Sequence, residues 1–439
     1  LQSIFSFFFF TQKEVRMDQD MIVNENNIFN MIGNKAVWDA FLQYKIERQH
    51  LSQKEEKELR SFIEEERYIE WSARLRDTGE RLPLPIRREI NKGGTSKKRI
   101  IYSYPPEMNQ MLKIIAYCLY EYDGVFSKNC YAFRREYGVK DAIHRIRTTG
   151  GIAQKYCLKV DIHNYFNSID VEILLEKLSF LKGGNEELYG LFERLLTADE
   201  ALVKVEDGRY ETVQEKRGAM AGIPVSPFFA NVYLKDTDAY FEKRGILYFR
   251  YSDDILIFAD TKEQLQEYRD ILYEKIRDCR LERNPDKVMV CEPGQMWEFL
   301  GFCYRDGKVD LADHTIRKMK HKMKRKAEAL RRWQRKKGLS GDKAAKGFIK
   351  AMNYKFFARE EGTEFTWCRW FFPNITTDKG LKELDAYMQQ CIRYCVTGRY
   401  YKGNYRIRYE QMKEWGYRNL VAEYYKGMNT KDREKGSTN

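Results

Sequence analysis

The sequence predicts an α+β fold, and three observations carry that expectation. Segments with apolar residues at helical spacing are interleaved with short β-branched and aromatic runs bounded by turn residues. Hydrophobic residues make up 43% of the 439 and aromatic residues 14%, enough to fill packed cores and to exclude a disordered or fibrous chain. The length corresponds to about two or three domains or one multi-lobed fold.

The elements follow in order. Leu1 to Phe10 is apolar and aromatic but has no positive n-region and no small-residue cleavage site, so it is a poor signal peptide. Residues 1–16 are expected to be a non-native or disordered extension. Residues 35–77 have the apolar spacing of charged helices, and Pro83 and Pro85 end that pattern. A Gly93-Gly94 turn then leads into the β-rich run SKKRIIYSY, closed by Pro105 and Pro106. Residues 107–124 predict a buried helix, and CLKVD a short apolar strand ending at Asp161. Residues 224–243 predict one helix. YFRY and ILIFAD predict two strands around a polar turn, and residues 262–279 an amphipathic helix. EFLGFCYRDGKVDL predicts a hairpin turning at Asp306-Gly307, and the chain beyond Thr315 is mostly helical and basic. The tail from Asn429 onward is expected to be disordered.

The same composition narrows the function. A formal net charge of +13 favours a polyanionic partner. No stretch of 18 apolar residues is present, so no spanning helix, no membrane partner and a cytoplasmic location are expected. The nine Cys include no CxxC pair and the five His form no cluster, which argues for free thiols in a reducing compartment and against zinc.

Asp253 and Asp254 stand in a turn between two apolar strands, where uncompensated charge is costly. Asp161 ends a third apolar strand. Carboxylates from separate strand ends can hold two Mg²⁺ (or Mn²⁺) ions, one activating a 3′-hydroxyl and the other neutralising a triphosphate. Such phosphoryl transfer needs positioning and charge stabilisation more than covalent chemistry.

Over residues 90–305 the chain resembles bacterial reverse transcriptases of the retron and group II intron superfamily. The resemblance rests, in order, on SKKRIIYSYPP, YAFRREYGVKDAI, VDIHNYFNSID, GIPVSPFFANVYL, the YSDD box, LERNPDKVMV and EFLGF. It implies a right-hand polymerase fold: N-terminal helices and fingers over 17–150, a palm with an antiparallel sheet and the YSDD hairpin over 151–305, and a helical basic thumb with an RNA-binding region over 306–439. It implies that Asp161, Asp253 and Asp254 are catalytic and hold metal. Lys97, Lys98 and Arg99 would hold the incoming triphosphate, Arg99 foremost because a planar guanidinium suits bidentate contact. Phe166 would be the steric gate against a 2′-hydroxyl. Gly222 and Pro224 would shape the nucleotide site, and Lys287 would approach the pyrophosphate. Arg134, Ser226 and Asn231 would lie at the nucleic acid. Ala221 departs from the family's usual Gln, and Val396-Thr397-Gly398 is expected to be a helix stop rather than a retron triplet.

Residues 315–337 hold 12 Lys+Arg and one Glu, a net +11 that leaves only +2 on the other 416 residues. Apolar positions from Ile316 to Trp333 recur every three or four residues, so an amphipathic helix is expected, with Arg325, Lys326, Arg331 and Arg332 on nucleic-acid phosphates. WCRWFFP (367–373) and GRYYKGNYRIRYE (398–410) interleave aromatics with cations, as base-stacking surfaces do and as cores also do. The resemblance is nearest to stand-alone defence-associated enzymes of the "unknown group". It implies a dedicated structured non-coding RNA as template, dNTPs as substrates, DNA as product and a role against phage. A maturase-like RNA-binding factor and template-independent or protein-primed DNA synthesis are the alternatives.

Overall fold

The computed structural model describes residues 27–49, 51–91, 98–135, 137–357 and 366–427. Residues 1–16, Lys97 and the tail from Asn429 onward lie outside the described residues. The chain forms two compact units, divided between Pro293 and Gly294.

The first unit has two sheets. One contains β1 (Ile86–Asn91), β2 (Lys98–Ser103), β4 (Glu200–Lys204) and β5 (Tyr210–Gln214) in the order β2-β1-β4-β5. Only β1 and β4 pair in parallel. The other contains β3 (Tyr156–Asp161), β6 (Tyr248–Tyr251), β7 (Asp254–Ala259) and β8 (Met289–Cys291) in the order β6-β7-β3-β8, antiparallel throughout. β7 is buried from Ile255 to Ala259, as its continuous apolar run requires. Helices pack around the sheets, among them 35–49, 53–64, 67–76, 106–118, 139–148, 186–197 and 262–278. Ser52 begins the 53–64 helix with a capping box, its side chain bonded to Glu55 N–H while the Glu55 carboxylate accepts from Ser52 N–H. One apolar core runs through this unit from Ile28 to Leu281.

Two elements differ from expectation. The helix expected over 224–243 is two, Ser226–Tyr233 and Lys235–Lys243, because Leu234 leaves helical dihedrals at φ −107°. The sheet partners β1, β4 and β5 were not anticipated. IRREIN and YETVQ are polar and largely half-exposed or exposed, so no apolar alternation marks them.

The second unit opens with β9 (Trp297–Phe299), β10 (Phe302–Arg305) and β11 (Lys308–Leu311), an antiparallel meander with one strand more than the expected hairpin. Both turns are two residues long with positive φ at both positions, 54° and 89° at Leu300-Gly301 and 50° and 71° at Asp306-Gly307. That is the turn whose twist matches paired strands. Helices Asp313–Lys336, Gly341–Phe356 and Lys379–Thr397 then pack against one another. The 313–336 helix buries Ile316, Met319, Met323 and Ala327. The expected stripe stops there: Leu330 lies over Gly347, and Trp333 is 44% exposed. Gly398 ends the 379–397 helix at φ 73°, the helix stop expected for that triplet. Among the described residues no helix is long and apolar enough to cross a membrane.

Candidate active site

The centre is set by strand register. β3 and β7 pair so that Asp161 lies directly opposite Asp254, with side chains on one face, and Ile162 N–H donates to Asp253 O at 3.1 Å. A two-residue turn, Ser252-Asp253, joins β6 to β7, with Ser252 at φ 60°. The turn therefore delivers Asp253 beside the facing pair. Like charges opposite one another destabilise a sheet, and two lysines offset them here. Lys287 Nζ lies 2.6 Å from Asp161 Oδ2, and Lys159, diagonal to Asp254, lies 3.4 Å from its Oδ1. Burial, then the charges of Asp254 and Asp161, push the Asp253 carboxyl up to about 6, while the Arg99 cation opposes the shift. Burial likewise raises Asp254, with Lys159 opposing.

These acids form an all-oxygen donor set suited to a hard divalent cation, which would relieve the mutual repulsion that raises Asp253. With Asp161 and Asp254 turned to their lysines, no three acidic, His or Cys side chains among the described residues converge as a ready cage.

Around the acids, Phe166 follows β3 in a short helix, Tyr165–Ser168, and is half-buried. Its ring lies 6.2 Å from Phe133, which in turn lies 6.1 Å from Tyr251 of the YSDD turn. Phe133 holds a left-handed φ of 58°, uncommon for a bulky residue. It fixes the expected gate against the hairpin and was not singled out from the sequence. Arg99 is half-buried on β2 and forms no ion pair or hydrogen bond among the described residues, though its charge reaches Asp253. Lys98 is exposed and paired with Glu89 at 2.8 Å.

The turn before the 226–233 helix is stitched to β2. Tyr102 N–H donates to Ala221 O at 2.8 Å, and a Cβ on Gly222 would meet Tyr102 O at 2.8 Å. At φ 109° and with β2 this close, only glycine fits. The approach expected towards a nucleotide is thus taken up, on this side, by strand β2. Pro224 is half-buried in the same turn. Asn167 ties the two segments, accepting from Ala221 N–H and donating to Ile100 O.

Four residues expected at a ligand are engaged by other groups of the protein. Arg134 is 5% exposed, with its guanidinium on Asp123 and the carbonyls of Ser127 and Cys130, so it clamps a loop instead of reaching nucleic acid. Ser226 is buried and donates to Met220 O at 2.5 Å. Asn231 is buried and donates to Ala132 O at 2.7 Å. Lys287, expected at a pyrophosphate, is bonded to Asp161.

The larger omission is Arg250, immediately before the YSDD turn. It is fully buried and forms a bidentate pair with fully buried Asp238, Nε to Oδ1 at 2.7 Å and Nη2 to Oδ2 at 2.5 Å. Tyr248 Oη donates to the same carboxylate, Arg250 Nη1 donates to Ser252 O at 3.3 Å, and Arg250 main-chain atoms bond to Asn129 and Tyr131. One guanidinium therefore locks the strand, the helix behind it and the turn that carries Asp253. A lone Arg inside the apolar run YFRY is the signal that could have found it.

In the second unit, Arg325, Lys326 and Arg332 are exposed. Arg331 is half-buried and donates to the carbonyls of Cys395 and Val396, so it joins two helices rather than facing a phosphate.

An antiparallel sheet that gathers three carboxylates at one end of adjacent strands, inside an α+β unit, is the arrangement expected of a nucleic-acid polymerase palm. Residues 90–304 match the family described as reverse transcriptase (RNA-dependent DNA polymerase). Residues 90–304 thus carry a reverse transcriptase domain. No curated protein matches it. Similar solved structures include apo telomerase from Candida tropicalis truncated from its C-terminal domain, at 13% identity and a TM-score of 0.42, covering 52% of this chain and 55% of that one. Candida albicans telomerase in complex with a TWJ fragment of telomeric RNA is similar at 13% identity and a TM-score of 0.41, covering 78% and 62%. This chain spans less than two thirds of either relative.

Proposed function

We propose that the protein copies a cognate structured non-coding RNA into DNA, with Asp161 and Asp253 as the principal ligands of two Mg²⁺ ions and Asp254 beside them. The observation that carries this reading is the register that sets Asp161 against Asp254 with Asp253 in the adjoining turn. Bound divalent ions would supply activation of the primer hydroxyl and neutralisation of the triphosphate.

The remaining work falls to the chain's own side chains. Arg99, with no partner among the described residues and its charge felt at Asp253, is suited to hold the triphosphate; Lys98, exposed beside it on β2, adds a second cation. Phe166, backed by Phe133, closes the space a ribose 2′-hydroxyl would need. Lys287 serves as counter-charge to Asp161, and with that carboxylate on a metal it would be free to face the leaving group. Arg325, Lys326 and Arg332 hold template and primer phosphates. A dedicated RNA and a role in defence against phage are supported by the resemblance to stand-alone bacterial enzymes.

Incubating the natively purified protein and its bound RNA with Mg²⁺ and dNTPs, then sequencing the DNA, tests this. DNA complementary to one recurrent RNA is expected. Homopolymeric or protein-linked DNA without a template would refute it, as would RNA binding with no DNA made.

A further inference from the structure

The two aromatic and basic segments of the second unit have opposite fates. In 367–373 the rings turn inward: Trp367 packs 4.5 Å from Phe371 and 5.3 Å from Phe356, and Phe371 packs 5.1 Å from Phe302. In 398–408 they turn outward. Tyr400 is 53% exposed, Tyr401 49% and Tyr405 63%.

The backbone holds them there. Gly398 stops the 379–397 helix and a short turn, Lys402–Arg406, follows, anchored by buried Asn404 and Ile407. Asn404 Nδ2 donates to Arg399 O at 2.6 Å, closing the loop on itself. Tyr400 is stacked on Tyr394 at 4.8 Å and 15°, which leaves its other face outward. Arg393 lies 5.0 Å from the Tyr405 ring. Tyr401 lies over Gly403 so closely that a Cβ there would meet its ring at 2.4 Å. These rings are therefore oriented by their neighbours rather than free to collapse.

The segment that carries them has charge of one sign, and Glu328 of the basic helix is an acid whose charge reaches Tyr400. From Ala386 to Tyr409 the chain carries Arg393, Arg399, Lys402, Arg406 and Arg408 and no Asp or Glu. The basic helix reaches this loop, since Arg331 bonds to Cys395 and Val396 just before Gly398. Exposed aromatic faces on a segment with five cations and no acid match a ligand with flat apolar faces on an anionic backbone, which is single-stranded nucleic acid. A protein partner of ordinary composition would not call for so cationic a segment, and duplex offers no free base faces.

We propose that Tyr400, Tyr401 and Tyr405 form a stacking platform for unpaired bases of RNA, a second nucleic-acid site built on the end of the basic helix. The site rests on the same polymerase reading for its ligand but not for its chemistry, so it is tested by binding alone, without primer or nucleotides. The probe is a fluorescent unstructured RNA of about ten nucleotides, within the usual site size of such surfaces, compared with an RNA duplex of the same length.

Replacing Tyr400, Tyr401 and Tyr405 together by Leu should weaken single-stranded binding about tenfold or more. Replacement by Phe should retain it, because the ring face and not the hydroxyl makes the contact. The salt dependence of the Leu variant should keep the wild-type slope, since no phosphate contact is lost, whereas Arg399→Gln with Arg406→Gln should lower it. Wild-type affinity in the Leu variant would overturn the proposal. So would equal losses for Phe and Leu, or a loss on duplex as large as on single strand. Failure of DNA synthesis would leave these binding results standing, and the two readings fail separately.

Discussion

Charge is handled in opposite ways in the palm and in the 313–336 helix. At the palm sheet three charged side chains are held by partners of opposite charge: Arg250 by Asp238, Asp161 by Lys287, Asp254 by Lys159. On the helix, cations of one sign face outward, and only Lys320 and Arg331 among those named here have protein partners, Glu383 and two carbonyls. The difference follows from the tasks. Chemistry at a phosphorus atom needs charges fixed to fractions of an ångström before the substrate arrives. Tracking a phosphate backbone needs only a high local density of mobile cations, which released counterions reward.

The contrast can be broken most severely at Arg250. Arg250→Met leaves Asp238 buried without its partner, and should lower stability by about 3–5 kcal/mol, read by denaturant unfolding. Arg250→Met with Asp238→Leu should recover most of that, since the isolated charge is gone. A single variant as stable as the wild type would show that the pair does not hold the hairpin. A smaller effect is expected at the gate. Phe166→Ala should reduce discrimination against ribonucleotides by roughly tenfold to a hundredfold, measured as the ratio of kcat/KM for dNTP and rNTP. An unchanged ratio means that ring does not exclude the 2′-hydroxyl. Smaller still per residue is the helix. Arg325→Gln, Lys326→Gln and Arg332→Gln together should lower the slope of log affinity against log salt by about 2–3 for a primer–template duplex, with little change in thermal stability. An unchanged slope would remove this face from the nucleic-acid contact.

The same contrast explains what was legible in the sequence. The YSDD turn and the strand ending at Asp161 announce themselves because two apolar runs flank a polar turn and a third ends in an acid. That Asp161 faces Asp254 is a matter of register, which no local pattern contains. Of the first sheet only β2 is legible, because β1 and β5 are half-solvated and lack alternation, although Asp207-Gly208 between β4 and β5 carries a hairpin signal. Arg134 and Arg331 illustrate a further limit. An arginine in a basic context looks the same whether it meets a phosphate or a carbonyl, and only the folded chain brings Asp123 to one and Val396 to the other. Trp333 marks the reverse case: helical spacing extended the apolar stripe to it, but the packing partner ends near Leu330.

The central claim is that the acids gathered by the β3–β7 register perform nucleotidyl transfer. Single-turnover extension of a DNA primer annealed to RNA, with Mg²⁺ and dNTPs, compares the wild type with Asp253→Asn, and thermal melting checks that both are folded. The Asn variant should remain folded, bind primer–template with wild-type affinity and extend it about a thousandfold more slowly or not at all. Extension at the wild-type rate by a folded Asp253→Asn protein would contradict the account.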